Sequence, residues 1–531
     1  MSTSLTSFLP LLPYLLFTVR RLMSYLHIFQ QEEYDGWRFL RWVSRTYSFD
    51  KKLSAIIVLL SAVEAVLKPV GPELGLILSA AFVAFFFIEL DPRKSGKKKL
   101  VLTVRAKRIL AVAAGLAFAA GVVVSLLSLG LWVWLLPVQL LPLALVAANL
   151  LLAPVEQRIQ KAFWQQAHDK LLSMRPTVVG ITGSFGKTSV KHILGHILEM
   201  HAPTLLTPGS VNTPMGIARI VREQLGSQHQ FFVCEMGAYG PGSIERLCRL
   251  ASPNIAVVTA VGYAHYERFK SLDVVAKTKL ELAQAVMKTG GKIIIAEEVL
   301  EFDAARNFYA LHPSLVTTVG ASANADLRVL AIRQTAVAVE TDVEWQGKPH
   351  TIKSPLYGKH HGMNMALAFA AAAVMGIPVE TIVLSLRSTP QIKHRLEVKR
   401  EPNGSVIIDD AYNSNPIGFA SALAALDTLS SAKGRRILVT PGMVELGEAH
   451  EREHQKIGAV AGSHVDVLLP VVPKRIEAMI SAYRMANPAG IVVPCDNFGQ
   501  ARAWLSANLQ AGDIVLLEND LPDLYENKLA L

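Results

Sequence analysis

Four long and almost uncharged runs, residues 53–69, 72–90, 109–128 and 131–153, constrain this chain more than any other feature. A bilayer core is crossed by about 20 apolar residues, and inside it only a helix or a closed barrel satisfies the backbone. Runs of this length predict helical spans. A fifth run, 5–19, is short and interrupted by Pro10 and Pro13, which leaves a span and an interfacial helix both open. Basic residues come after this run instead of preceding it, and no small-residue cleavage site appears, so a removed signal peptide is disfavoured.

Charge divides the chain in the same place. Residues 1–150 carry 16 Lys/Arg and 8 Asp/Glu, a net of +8, whereas the whole chain of 531 residues carries +10. The basicity flanks apolar runs, so it reads as membrane topology and not as a nucleic-acid surface. Segments 20–52 and 91–108 hold most of it, which places both loops and the chain from Pro154 onward on the cytoplasmic side of a cell membrane. Glu64 and Lys68 fall inside one run near its outer end, where an ionisable group is either functional or snorkelling. The three cysteines, Cys234, Cys248 and Cys495, lack the spacing of a zinc site or a disulfide framework.

From Pro176 the pattern changes to that of an α/β protein. "TVVGITGSFGKTSVKHIL" (177–194) reads as a strand, a glycine-rich turn and a helix opening at Lys187. That context suits a phosphate cradle. Glycines let backbone N–H groups approach phosphate oxygens, the helix N-terminus adds partial positive charge, and a lysine reaches the outer phosphates. Gly183, Ser184, Gly186, Lys187, Thr188 and Ser189 form the expected nucleotide loop, with the Thr188 hydroxyl available to Mg²⁺. Ile181 stands where the usual GxxxxGK[ST] spacing has its first glycine.

The T-G-x-x-G-K-T-[ST] form, together with seven segments downstream of it, resembles the Mur ligase family, the ATP-dependent amide-forming enzymes of cell-wall synthesis. The likeness continues in order through "TPGSVNTPMGI" (207–217), "VCEMGAYGPGSI" (233–244), "VTAVGYAHYERFKSLDVVAKTKLEL" (258–282), "YGKHHGMNMALAFAAA" (357–372), "HRLEV" (394–398), "DDAYNSNP" (409–416) and "GMVELGEAHEREHQKIG" (442–458). Several of these look like the D-alanyl-D-alanine-adding members. The resemblance implies a reaction in which a carboxylate takes the γ-phosphoryl group of ATP to give an acyl phosphate, which an amine then attacks. Negative charge is brought against negative charge, so concentrated positive charge is needed.

By the same resemblance, Lys187, His265, Lys279 and Arg395 are the catalytic candidates, and Thr188, Glu235 and His265 hold Mg²⁺. The family carbamylates the lysine matching Lys279, which turns a cation into an anion near the metal. Lys277 is the out-of-register rival. The positions facing Lys279 on a helix, Val275, Ala276, Leu282 and Ala283, offer it no acid. Asn364, Arg395 and Asp410 are implied nucleotide contacts, and Asn212, Thr213, Asn413 and Asn415 lie in stretches like the family's substrate segments. Three departures stand out: Ala260 in place of a common Asn, Gly442 in place of the Asp of G-D-M-x-E-L-G, and "GDIVLLENDLPDLYEN" (512–527) where the family has K-G-S-R-G. The soluble domain that grips the UDP-sugar in muropeptide ligases also has no counterpart; apolar runs occupy its place.

The expected architecture is an N-terminal α-helical membrane bundle of four or five helices (1–153) and an amphipathic connector (154–175). A P-loop α/β central domain (176–395) with a β-rich insert near 315–356 comes next, then a Rossmann-like α/β C-terminal domain (396–531). The expected partners are a muropeptide or other carboxylate, UDP- or lipid-linked, and an amino acid or dipeptide amine, with the membrane and without nucleic acid. Two alternatives stay open: a ligase of the same fold with another acid and amine, such as a poly-γ-glutamate-type or lipid-linked muropeptide-amidating enzyme, and a nucleotide-driven membrane switch.

Overall fold

The computed structural model describes residues 7–66, 71–94, 99–262, 269, 271–412, 414–430, 434–444 and 446–519. The chain divides into two units between Gln160 and Lys161.

The first unit is helical: α1 (Leu11–Gln31), α2 (Gly36–Arg45), α3 (Lys52–Val66), α4 (Gly71–Ile88), α5 (Val104–Leu127) and α6 (Leu141–Met174), which runs on into the second unit. Its core is aromatic, with Tyr14 and Phe82 each edge-on to Trp134 at 5.1 and 5.8 Å. Hydropathy predicts four or five spans. Among the described residues one helix, Val104–Leu127, is long and apolar enough to cross a bilayer alone. A second qualifies if Leu131–Gln139 and Leu141–Met174, bent by 50°, form one broken span. The expected run 131–153 is therefore two pieces, and no break separates it from the expected connector, because α6 passes through Pro154. Of the run expected at 5–19, residues 11–19 form the start of the longer α1.

That helix also absorbs the start of the expected basic loop. Arg21 is 1% exposed, and its guanidinium pairs with Asp50 at 2.7 Å and Glu89 at 2.5 Å. Two carboxylates compensate a charge that would be prohibitive to bury alone. Glu64 has a structural partner as well: its Oε2 accepts the Leu131 N–H at 2.8 Å, capping the turn Leu131–Trp134. Lys68 lies outside the described residues.

The second unit holds two sheets. Strands β1 (Thr177–Thr182), β2 (Thr204–Leu206), β3 (Phe231–Glu235), β4 (Ile255–Val258), β5 (Lys292–Ala296), β6 (Val316–Gly320), β7 (Leu327–Gln334), β8 (Val339–Trp345) and β9 (Lys348–Ser354) form the first. Their order is β2-β3-β1-β4-β5-β6-β7-β8-β9, parallel up to β7 and antiparallel beyond. The expected β-rich insert is thus an antiparallel extension of the main sheet. Helices α7 (Lys187–Glu199), α8 (Pro214–Gln224), α9 (Ser243–Ala251), α10 (Leu272–Lys288), α11 (Asp303–Leu311), α12 (His360–Val374) and α13 (Val379–Arg387) accompany it. The central strands β3 and β4 are buried except at Phe231, where β3 begins, as parallel strands covered on both faces must be.

The second sheet takes β10 (Glu397–Arg400), β11 (Val406–Asp410), β12 (Arg436–Thr440), β13 (Val467–Pro470), β14 (Ile491–Val492) and β15 (Ile514–Glu518), in the order β10-β11-β15-β12-β13-β14. Only β10 runs antiparallel to its neighbour. Helices α14 (Pro416–Leu429), α15 (His450–His464), α16 (Glu477–Ala486) and α17 (Phe498–Asn508) complete this half.

Candidate active site

Strand order places the site. The chain moves from β1 to one side (β3, β2) and then to the other (β4), so a crevice opens beyond the carboxyl ends of β3, β1 and β4. The loop 183–186 fills it and feeds α7 at Lys187. Gly183 has φ +155°, and a Cβ there would overlap the Thr259 hydroxyl. Gly186 has φ +80°, with Asn364 Oδ1 2.6 Å from where a Cβ would stand. Both positions demand glycine, and the bare backbone they leave is what a phosphate needs.

Lys187 folds back over the loop, its Nζ donating to Gly183 O at 2.7 Å and Ser184 O at 3.3 Å. Burial and the nearby Arg395 charge lower its pKa, against the pull of Glu235. Thr188 Oγ1 donates to Glu235 Oε2 at 2.9 Å, and Asn212 Nδ2 donates to Glu235 Oε1 at 3.1 Å. Glu235 is 1% exposed. Burial raises its pKa, but Lys187, Lys191, Thr188 and Asn212 together hold it below the usual carboxylate range.

Lys279, on α10, is 4% exposed and makes no hydrogen bond or ion pair among the described residues. Burial, then the Lys187 charge, push its amine well below the ordinary lysine value. Its rival Lys277 is exposed. The structure thus separates the two lysines. Glu281, two residues on along the same helix, caps α9 by accepting the Gly242 and Glu245 N–H groups at 2.6 and 3.0 Å.

Asn364 sits against Gly186, and beside it Met363 lines a cavity of about 570 Å³ at the ends of β5 and β6 with Glu297, Glu298 and Gly320. Arg395 stacks on Tyr412, its Cζ 4.6 Å from the ring centroid, and lines with Thr188 a second cavity of about 410 Å³. The residues flanking Arg395 are both left-handed, His394 at φ +57° and Leu396 at φ +51°. Asp410 lies in register with Glu518 across β11 and β15. Burial raises Asp410 to about 6 against the pull of Arg395, and burial plus the Asp410 charge push Glu518 well above the usual range. His394, Glu397 and Asp409 also cluster, but the Lys399 ammonium already stands 2.8 Å from Asp409 and 3.1 Å from Glu397.

Thr213 and Asn415 are engaged as helix caps, accepting the Gly216 N–H at 3.3 Å and the Gly418 N–H at 2.9 Å. Ser189 is buried one residue beyond Thr188 on α7. His265 and Asn413 lie outside the described residues. Sequence reasoning misses Lys191, which is fully buried and pairs with Glu235 at 3.4 Å. Its signal was available: it lies one helical turn from Lys187. Tyr239, which donates to Asn212 Oδ1 at 3.1 Å, carried no such signal.

Comparison with known proteins accounts for this arrangement. Residues 181–372 match the Mur ligase middle domain and residues 394–518 the Mur ligase glutamate ligase domain. The chain is 30% identical over 367 residues to the UDP-N-acetylmuramoyl-tripeptide–D-alanyl-D-alanine ligase of Mycobacterium leprae, covering 64% of this chain and 70% of that protein. The chain belongs to the Mur ligase family. With the ligase of the same name from Bacillus subtilis it shares 30% identity over 304 residues, 57% of this chain and 63% of the relative, so it spans just under two thirds of that protein's length.

Among solved structures, MurF ligase from Thermotoga maritima in complex with ADP superposes with a TM-score of 0.59 at 25% identity, covering 68% of this chain and 80% of that one. MurF from Acinetobacter baumannii, at 23% identity and a TM-score of 0.57 over 68% of this chain and 77% of that one, has the same fold. ATP and Mg²⁺ are the cofactors of Mur ligases. The cradle fits both: glycines with no room for a Cβ, a lysine over the loop, and the hard oxygen donors Thr188 Oγ1 and Glu235.

One departure from the Mur ligase pattern has a local cause. Gly442 has φ +76°, and a Cβ there would overlap His454 Nε2, which accepts the Met443 N–H at 3.0 Å. An aspartate and this histidine cannot share the loop without rearrangement. At Ala260 the backbone is still used, its carbonyl accepting the Ser184 N–H at 2.7 Å.

Proposed function

We propose that this chain is a membrane-anchored ATP-dependent ligase that joins D-alanyl-D-alanine, or a related amine, to the carboxylate of a muropeptide. The observation that carries the reading is the convergence around a loop where glycine alone fits of Lys187, Thr188, Glu235 and Lys279, the last without a hydrogen bond or ion pair among the described residues. Lys187 would meet the outer phosphates, with Thr188 and Glu235 holding Mg²⁺, whose part is to neutralise charge as the carboxylate approaches. Asn364 and the cavity beside Met363 would receive the base; Arg395 would face the transferred phosphoryl group, with Asp410 toward the sugar. The neutral amine is the form that combines with CO₂, burial at Lys279 favours that form, and the carbamate would supply an anion beside the metal.

The balance is simple. The donor carboxylate forms an O–P bond as the bond between the β- and γ-phosphoryl groups breaks and ADP departs. The amine nitrogen then forms the C–N bond, the acyl C–O bond breaks, and phosphate leaves with the proton that nitrogen loses.

Membrane anchoring is supported by the surface of the first unit. Its helices expose Leu12, Leu16, Val58, Leu59, Leu76, Ile77, Phe87, Ile88, Val123 and Leu126. An apolar surface on that scale belongs against lipid or another apolar partner. Together with the basic flanks, it favours a multi-pass protein whose catalytic half is cytoplasmic.

The test is amine-dependent phosphate release by the full chain in nanodiscs, offered UDP-muramoyl-tripeptide or its lipid-linked form. Release that needs both donor and D-alanyl-D-alanine, with the amide product seen by mass spectrometry, is the expected result. Release indifferent to every amine would sink the proposal in favour of a nucleotide switch.

A further inference from the structure

Helix α2 connects α1 to α3, two helices that expose Leu12, Leu16, Val58 and Leu59. Its start is fixed by Asp35, whose Oδ1 accepts the Trp37 and Arg38 N–H groups at 2.9 and 3.0 Å. One face is committed to the helical core, where Phe39, Trp42 and Val43 are buried. The opposite face carries Arg38, Arg41 and Arg45, all exposed, and at 3.6 residues per turn they fall within about 60° of one another. Trp37 borders this stripe, 70% exposed, with the Arg41 guanidinium carbon 5.5 Å from its ring centroid. Past the helix end, Tyr47, which is 71% exposed, and then Phe49, Lys51 and Lys52 prolong the surface. Acids are scarce here. From Gly36 to Lys52 the one acid is Asp50, buried against Arg21. Of the three arginines, Arg38 alone has a carboxylate partner among the described residues, Glu32 at 3.0 Å.

We infer that the exposed face of α2 and the turn after it bind the phosphate headgroups of anionic phospholipids in the cytoplasmic leaflet. This rests on the membrane-anchored reading, which brings lipid to this end of the bundle. A guanidinium fork matches the oxygens of a phosphodiester, and three such forks lie on one stripe with little acid to quench them. Large aromatic rings exposed to water are unfavourable. At headgroup level, Trp and Tyr set an apolar ring against the acyl chains and a polar edge toward water. The arginines attract and the aromatics anchor, so zwitterionic lipid gains the second interaction and little of the first. An acidic partner in solution would engage the arginines and leave Trp37, Tyr47 and Phe49 without a role. Each basic residue at a membrane surface strengthens the attraction by about fivefold, the equivalent of about 1 kcal/mol.

Titration of the detergent-solubilised full chain with fluorescent short-chain phosphatidylglycerol and phosphatidylcholine tests the assignment. The wild type is expected to hold phosphatidylglycerol at least tenfold more tightly than phosphatidylcholine. The triple variant Arg38→Gln, Arg41→Gln, Arg45→Gln removes that preference by weakening phosphatidylglycerol alone. Trp37→Ala, which keeps every charge, weakens both lipids. The triple variant Lys94→Gln, Lys99→Gln, Lys107→Gln takes the same charge from exposed cations elsewhere in the unit and keeps the preference. Equal binding of the two lipids by the wild type, a preference that survives in the arginine variant, or an equal loss in the lysine variant would overturn it. Alkaline extraction of cell membranes separates the two readings. If the wild type resists extraction but shows no preference, the lipid site is wrong and the anchoring stands. If the wild type is released while the titration keeps its pattern, the anchoring fails and the lipid site stands.

Discussion

Restoring the family's aspartate at Gly442 should damage this protein. The backbone there has φ +76°, a conformation that costs a residue with a side chain about 1–2 kcal/mol. The new Cβ would also stand 2.5 Å from Ile476 Cγ2 and overlap His454 Nε2, and overpacking of this kind costs about 1–3 kcal/mol. His454 has little room to yield, because its Nδ1 donates to His450 O at 2.7 Å while Nε2 accepts from Met443. Aspartate tolerates the left-handed region better than most residues, so with about 1 kcal/mol for the backbone and about 2 kcal/mol for the overlap, Gly442→Asp should cost about 3 kcal/mol. At roughly 2–4 °C per kcal/mol for a cooperative unit of some 150–250 residues, Tm should fall by roughly 6–12 °C. Differential scanning fluorimetry of the full chain in detergent measures the shift. His454→Ala opens the space, so Gly442→Asp should cost less in that background, with a coupling of about 1 kcal/mol or more between neighbours. A Gly442→Asp protein melting within a degree of wild type, or strictly additive variants, would refute the steric reasoning.

Three further outcomes are expected. Lys279→Ala should reduce amide formation at least a hundredfold, while Lys279→Glu, which restores an anion, keeps a measurable part of it; a ¹³C carbamate signal should appear in wild type and in Lys277→Ala but not in either Lys279 variant. Thr188→Val should weaken Mg²⁺-dependent nucleotide binding by roughly tenfold, the loss of about 1.4 kcal/mol, and Thr188→Ser should stay within twofold, as read by equilibrium titration. Glu235 has a folded-state pKa below its unfolded value, so its stabilisation is complete above the ordinary glutamate range and is lost as pH falls through the depressed value. With EDTA present, the Tm difference between wild type and Glu235→Gln should therefore shrink on acidification from pH 6 to pH 3, and a constant difference would contradict the assignment.

Much of the site is legible in the sequence because short-range patterns fix it. A strand, a glycine-rich turn and a helix beginning at Lys187 are local, and so is the placement of Glu235 at the end of a buried strand. Lys279 is separable from Lys277 in principle, since one faces the apolar side of α10 and the other solvent. Pairing at a distance is what no local pattern supplies. Asp410 meets Glu518 through strand register across 108 residues of chain, and Tyr239 reaches Asn212 from a loop with no periodicity. Thr213 and Asn415 resemble substrate contacts, yet each precedes a proline at the first position of a helix, the local signature of a cap.

The N-terminal helical unit departs from its hydropathy pattern for a related reason. Hydropathy counts apolar residues but does not say where a helix bends or how early it starts. The run 131–153 breaks near Leu140, and α1 carries two arginines into a stretch that reads as a loop, because Asp50 and Glu89, remote in sequence, compensate Arg21. Basic residues beside an apolar run read as charges seeking water, and for Arg21 that inference fails: a partnered guanidinium can join the core. The count of exposed cations that orient a bundle must therefore be made after such pairs are removed. Here the sign survives, since Arg38, Arg41, Arg45, Lys51 and Lys52 remain exposed in the same segment. The proposed cytoplasmic placement of the catalytic half draws on these five residues as well as on the segment 91–108, and reversing all five to acids should invert or scramble the topology read by cysteine accessibility in whole cells, while the same reversal at Arg21 should instead destabilise the bundle.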